Sequence, residues 1–296
     1  MKLIFIVNPI SGTKSKQHIL DLIPTFFAEN EYEIKHTERA GHAEELAREA
    51  AQNGATAAVA VGGDGTVNEV ARGIVHTDTA LGIIPCGSGN GLARHIGIPM
   101  KPEKALETLK KMDIRQCDYG KICGHPFFCT AGVGFDAQVS YTFAHAGKRG
   151  LPTYLKTTIG VGLKYKGETY DIEIDDNGKI ERKHCWLVTG ANAAQYGNDF
   201  FIAPKASVCD GKLDVNVWTV FNKFTSPAVG IRLHNATIDH NKHVTMVRCD
   251  KVTIHREKEG PIQWDGDPAD GPKDVTMECV AGGIKMVVGT PKKNRL

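Results

Sequence analysis

The pentapeptide Gly62-Gly63-Asp64-Gly65-Thr66 follows directly on the apolar run Ala57-Ala58-Val59-Ala60-Val61. A short apolar run closed by glycines reads as a buried strand feeding a tight turn, and the pattern from Val67 to Val75 reads as a helix. Strand, glycine turn and helix in that order restrict the chain to a layered α/β arrangement. Bare glycine backbone lets N–H groups approach an anion, and the positive end of the following helix points at the same place. Asp64 then stands where it can meet Mg²⁺ or a hydroxyl, so the pentapeptide points to phosphoryl chemistry.

The first third of the chain repeats this rhythm. Leu3 to Val7, Glu33 to Thr37, Thr56 to Val61 and Leu81 to Ile84 read as strands, and Ile19 to Ala28, Ala43 to Gln52 and Val67 to Val75 as helices. Gly54 reads as the residue that closes the second helix. Loops at the carboxyl ends of such strands gather on one sheet edge, where ligands bind. Two further loops belong there: Asn8-Pro9-Ile10-Ser11-Gly12 after the first strand, and Gly82 to Arg94 (GIIPCGSGNGLAR), in which Ser88 can cap the next helix or meet a phosphate.

Beyond about Gly124 the period changes to alternating segments: Thr169 to Ile174, Ile180 to Thr189, Leu213 to Val220, Val252 to His255 and Val275 to Val280. Asp176-Asn177-Gly178 between two of them is a hairpin signal. The reading is therefore two domains, a parallel α/β domain and a second, mostly antiparallel one, with the boundary near residues 124 to 130. Length agrees, since 296 residues exceed one average domain.

Composition limits the function classes. A formal net charge of +2 gives no field for nucleic acid, and Lys292, Lys293 and Arg295 read as a solvated tail. The apolar stretch Leu3 to Val7 is too short for a signal peptide and no run reaches membrane-spanning length, so a cytoplasmic protein is expected. The eight cysteines lack a Cys-x-x-Cys pair and read as reduced thiols, Cys117, Cys123 and Cys129 included. No G-x-x-x-x-G-K-[ST] or H-R-D sequence occurs, which argues against P-loop enzymes and protein kinases. Gly132-Val133-Gly134-Phe135-Asp136-Ala137 matches G-x-G-x-x-A, but no strand and helix are expected around it, so it is not read as a dinucleotide fingerprint. Between Phe143 and Lys166, the basic residues Lys148, Arg149, Lys156, Lys164 and Lys166 alternate with Leu151, Tyr154, Leu155, Ile159 and Leu163. That stretch suits either a membrane-facing lid or a packed helix, with Gly160 and Gly162 interrupting it.

Taken together, Asn8 to Gly12, Gly62 to Glu69 (GGDGTVNE), Gly82 to Arg94, Gly132 to Ala137 and Ala203 to Val215 (APKASVCDGKLDV) resemble, in content and order, the diacylglycerol kinase catalytic-domain family. The resemblance spans nearly the whole chain. It implies a doubly wound, phosphofructokinase-like α/β nucleotide-binding domain over residues 1–125, to which the last strand, Ile284 to Val288, and residues 284–296 return, and a mostly antiparallel β-sandwich domain over 126–283. It also implies a lipid kinase that moves the γ-phosphate of ATP, with Mg²⁺, to the hydroxyl of diacylglycerol, a sphingoid base or a ceramide-like lipid. The implied ATP contacts are Asn8, Pro9, Ile10, Ser11, Gly12, Thr37, Gly63, Asp64, Gly65, Thr66, Val67, Asn68, Glu69 and Ser88, in a cleft that the lipid enters through the second domain. A structural Mg²⁺ is implied at Asp210 with the carbonyls of Ser207 and Lys212. Trp264-Asp265-Gly266-Asp267 stands where the family has Asp-Gly-Glu, so Asp267 replaces the glutamate taken as general base, and its reach is shorter by about 1 Å. Asp64 and Asp265 are the other candidate catalytic carboxylates. The expected partners are the lipid alcohol and the membrane surface, with a homodimer left open and no nucleic acid. Two rivals are a catalytically impaired nucleotide- or lipid-binding protein and, on the shared GGDGT loop, an NAD kinase.

Overall fold

The computed structural model describes residues 1–12, 16–146, 151–175, 180–220 and 226–290, with backbone alone for Leu151, Pro152, Ile180, Ser226 and Pro227. Lys148, Arg149, Asp176-Asn177-Gly178, Lys292, Lys293 and Arg295 lie outside the described residues. The chain divides into two compact units, residues 1–118 with 281–296, and residues 119–280.

In the first unit β1 (Lys2–Val7), β2 (Glu31–His36), β3 (Ala57–Gly62) and β4 (Ala80–Pro85) form a parallel sheet in the order β2-β1-β3-β4. The helices between them are α1 (Gln17–Phe27), α2 (His42–Gln52) and α3 (Asp64–Ile74); α4 (Gly91–His95), α5 (Pro102–Lys111) and β5 (Ile114–Ile122) follow. β1 and β3 are buried almost throughout, as a strand covered on both faces must be. From β1 the chain steps to β2 on one side, and from β3 to β4 on the other. With right-handed crossovers α1 takes one face and α2 and α3 the opposite one, which is a doubly wound layout. Accordingly α2 packs on α3, and α1 on α5. The order reverses between β1 and β3, so their two glycine-bearing loops flank the switch point, where open α/β sheets hold ligands. Gly54 closes α2 with φ +68°, its N–H donating to the Ala51 carbonyl.

The second unit contains β6 (His125–Phe127), β7 (Thr130–Gly134), α6 (Phe135–Ala144), α7 (Leu151–Lys164), β8 (Glu168–Ile174), β9 (Ile180–Ala191), β10 (Gln195–Gly197), β11 (Phe200–Phe201), β12 (Leu213–Thr219), α8 (Ser226–His234), β13 (Val244–Cys249), β14 (Lys251–Arg256), β15 (Gly260–Trp264), β16 (Asp267–Gly271) and the first part of β17 (Asp274–Val287). Nearly every pairing is antiparallel. β9 serves two layers: its first half pairs with β8, and its second half with β7 and β12. Inward residues of both layers, among them Val133, Ile172, Val188, Val215, Ile254, Ile262 and Met277, make one buried cluster, the core of a sandwich.

Several local expectations change. The helix expected from Val67 begins at Asp64, because Asp64-Gly65-Thr66 is its first turn. Residues 275–280 and 284–288 are not two strands but one, β17, whose Lys285 and Met286 pair in parallel with Ala80 and Leu81. Gly132-Val133-Gly134 does lie on a strand and Phe135 does open a helix. The strand is antiparallel to β9 and β15, however, so it is no dinucleotide fingerprint. Gly160 and Gly162 do not break α7.

Gly73 shows how closely the helices meet. A Cβ there would stand 2.5 Å from the Glu44 carbonyl oxygen and 2.8 Å from Ala47 Cβ. Gly73→Ala would add about 1 kcal/mol of helix propensity. Overpacking against backbone costs about 1–3 kcal/mol and wins, so urea unfolding of the variant is expected to show a lower midpoint; a higher midpoint would mean that α2 gives way.

Candidate functional site

Three loops meet at the carboxyl ends of β1, β3 and β4, and they meet by backbone. A Cβ on Gly87 would stand 2.7 Å from Gly63 Cα, and one on Gly12, where φ is +67°, would run into the Cys86 carbonyl. Only glycine permits either approach. Cys86 N–H donates to the Gly62 carbonyl at 2.7 Å, and Asn8 N–H to the Val61 carbonyl at 3.1 Å.

Asp64 locks the second loop to the third. Its Oδ2 accepts the Asn90 N–H at 2.8 Å and its Oδ1 the Gly91 N–H at 2.7 Å. Burial pushes the Asp64 carboxyl upward, and these N–H groups with the nearby Arg94 guanidinium act the other way. Asn90, at φ +52°, holds its own loop by accepting from Gly87 N–H at 3.0 Å and donating to the Gly87 carbonyl at 2.8 Å. These contacts correct the expectation that Ser88 caps the following helix: Asn90 is the N-cap residue, Asp64 takes the free N–H groups, and Ser88 is exposed.

The other residues implied for ATP divide into two sets. Pro9, Ile10, Gly12, Gly65 and Ser88 are exposed, and nothing stands within 4 Å of a Cβ built on Gly65. Ser11 Oγ donates to the Asn8 carbonyl at 3.0 Å, and the buried Lys16, not foreseen from sequence, donates its ammonium to the Ser11 carbonyl. The rest hold the scaffold. Asn8 Nδ2 donates to Thr66 Oγ1 at 3.0 Å, joining the first loop to α3, and Val67 and Asn68 are buried. Glu69 Oε2 accepts the Ala43 N–H at 3.1 Å, meeting a free donor in the first turn of α2. Thr37 is buried, and its N–H extends the β1–β2 ladder to the Val7 carbonyl at 2.9 Å.

In the second unit Asp265 and Gly266 are the two central residues of the β15–β16 hairpin, with φ of +49° and +91°. That is a type I′ turn, and Asp-Gly between two strands was its sequence signal. The Asp265 carboxylate accepts N–H groups from Phe128 and Cys129 at 2.8 Å and from Thr130 at 3.1 Å. In this structure it holds the start of β7 to the hairpin turn. Asp267, opposite Trp264 in the ladder, is exposed. Trp264 stacks on His125 with ring centroids 4.5 Å apart.

Asp136 escaped the sequence reading. It is buried and accepts from Thr189 Oγ1 at 2.7 Å, Gln263 Nε2 at 3.1 Å, Tyr196 Oη at 3.3 Å and the Ala137 N–H at 2.8 Å. Desolvation raises its pKa against those donors. Its only sequence cue was a carboxylate at the start of a helix. Nearby, a cavity of about 890 Å³ between α6 and α7 is lined by Gln138, Thr142, Lys156, Thr157, Lys164 and Tyr165 among others. α7 exposes Leu155, Ile159 and Leu163 along one ridge, and no Asp or Glu occurs from Ala137 to Gly167.

At the loop expected to hold a structural Mg²⁺, Asp210 Oδ1 accepts the Lys212 N–H at 3.2 Å and Oδ2 lies 3.4 Å from Arg248 Nη1. Among the described residues no group of three His, Cys, Asp or Glu side chains could hold a metal ion. Mg²⁺ asks for a near-octahedral set of oxygens at about 2.0–2.1 Å. Of the implied set only Asp210 brings a charge, and that carboxylate is already turned to the Arg248 guanidinium, so the donors as placed do not fit the ion.

Two domain families match the chain: the diacylglycerol kinase catalytic domain over residues 2–122, and the YegS C-terminal NAD kinase beta sandwich-like domain over residues 129–288. A diacylglycerol kinase of Bacillus subtilis is 28% identical over 88% of each chain. A probable YegS-like lipid kinase of Pseudomonas syringae is 28% identical over 90% of this chain and 89% of its own. A crystal structure of a putative diacylglycerol kinase from Bacillus anthracis superposes with a TM-score of 0.78 at 22% identity, covering 97% of both chains, which speaks for the fold.

Asp64→Asn keeps one acceptor oxygen but turns an amide NH₂ toward a backbone N–H. The unsatisfied pair costs about 1–3 kcal/mol, so the unfolding free energy from urea titration is expected to fall by that amount; an unchanged value would mean that the carboxylate does not tie the loops.

Proposed function

The chain belongs to the diacylglycerol kinase catalytic-domain family, in the form that carries a YegS-type C-terminal domain, and on that premise we propose that it transfers the γ-phosphate of ATP to the hydroxyl of a lipid alcohol. The observation that carries the reading is the meeting of three glycine loops at the switch point of the first unit, with the exposed Gly65 of the first turn of α3 among them. Backbone N–H groups and a helix N-terminus attract phosphate without a covalent intermediate, and phosphoryl transfer asks chiefly for alignment and charge neutralisation. Mg²⁺ bound with ATP would neutralise the phosphate oxygens. A single carboxylate with phosphate oxygens is a common donor set for that ion, so Asp64 fits the part.

In this reading the exposed residues of the first and third loops, Ser88 among them, meet the triphosphate together with the half-buried Ser11, with Lys16 adding positive charge. Asn8, Thr37, Thr66, Asn68 and Glu69 keep the loops in register. Asp267 takes the proton of the acceptor hydroxyl, and Asp265 fixes the hairpin that presents it. The second unit receives the lipid. The acid-free stretch from Ala137 to Gly167 and the ridge Leu155, Ile159 and Leu163 favour peripheral contact with an anionic membrane surface. Among the described residues no helix is long and apolar enough to cross a membrane.

The test is transfer of labelled phosphate from Mg·ATP to a panel of diacylglycerol, ceramide and sphingoid bases presented in anionic vesicles. One lipid class is expected to become a labelled phospholipid. Asp267→Ala should lower kcat about a hundredfold or more with ATP affinity unchanged, and Asp267→Glu should keep or raise it. Nucleotide binding without any phospholipid product would instead identify an impaired binding protein. Full turnover in Asp267→Ala would remove Asp267 from its role.

A further inference from the structure

The loop from Lys205 to Asp214 carries three carboxylate or ammonium groups beyond Asp210, and each has a partner inside the second unit. The antiparallel register of β12 and β13 sets Arg248 directly opposite Asp214. From that position Arg248 Nη2 lies 3.4 Å from Asp214 Oδ2 and donates to the Lys205 carbonyl at 3.0 Å, while Nη1 lies 3.4 Å from Asp210 Oδ2. The two lysines point elsewhere: Lys212 pairs with Asp250 at 2.6 Å and Lys205 with Asp239 at 3.0 Å. Arg248 is therefore the cation shared by the two carboxylates of the loop.

We propose that the Arg248 guanidinium is the built-in cation of this loop, filling the place that a divalent ion would otherwise take, so that the second unit folds without a structural metal. A planar guanidinium presents several donors at once and can serve two carboxylates and a carbonyl together, where a metal would do so by ligation. Exposed ion pairs contribute little, but the Asp214 side chain is only 9% exposed. Its charge cannot be left to water, and a partner is obligatory. Arginine keeps its proton at any pH of interest, so this cation is always present. The inference is independent of which lipid or nucleotide the chain uses.

The experiment is thermal unfolding of the full chain without nucleotide, in EDTA and in excess MgCl₂, for the wild type, Arg248→Met and Arg248→Met with Asp210→Asn. The wild type should unfold at the same temperature in both solutions. Arg248→Met should unfold at a lower temperature in EDTA and recover part of the loss in MgCl₂, and the added Asp210→Asn should abolish the recovery. A loss that MgCl₂ does not repair, or no loss at all, would overturn the proposal. If Arg248→Met does not fold, calorimetric titration of the wild type and Asp210→Asn with MgCl₂ decides. No site that depends on Asp210 is expected, and a wild-type Mg²⁺ site lost in Asp210→Asn would overturn it.

Discussion

The carboxylate of Asp64, accepting one backbone N–H from Asn90 and one from Gly91, is the contact on which the candidate nucleotide site depends. It crosses from the start of α3 to the start of α4, and it satisfies two donors that the short α4 could not satisfy itself. Because the group is desolvated, its charge is held by those N–H groups rather than by water. With the second and third loops joined there, Gly63 and Gly87 come into contact and Gly12 closes on Cys86. Apart from Pro9 and Ile10, the exposed surface that remains is backbone and small side chains, which suits a phosphate.

The second unit repeats the device. Asp265 gathers three N–H groups at the start of β7, and Asp136 gathers four donors between α6, β9, β10 and β15. In each place a buried or half-buried carboxylate organises chain segments distant in sequence. Such carboxylates are easily mistaken for catalytic ones, because a sequence gives the residue type and not its partners. Asp267, by contrast, stands exposed directly after the turn, and the proposal that it serves as the base draws on that exposure.

Much of the architecture was legible because hydrophobic period reports burial directly. The wholly apolar Ala57 to Val61 announced a strand covered on both faces, and the change to alternation after Gly124 announced a mostly antiparallel second unit. What escaped was local geometry. Nothing in GGDGT says that the helix begins at Asp64, because glycine is a poor helix former. Asp-Gly at 265–266 was read through the family's catalytic motif, although the dipeptide also carries a type I′ hairpin. The Arg248 partner of Asp210 could not be read from the loop, because it comes from another strand and becomes adjacent only through register.

Hydrogen exchange of the backbone amides, followed with and without Mg·ATP, tests the central claim most directly. The Asn90 and Gly91 amides, already bonded to Asp64, should be protected in both states. Amides of Gly65 and Ser88 should gain protection only when ATP is present. Protection that appears elsewhere while those two amides exchange as before would contradict the assignment of the glycine loops to the nucleotide phosphates.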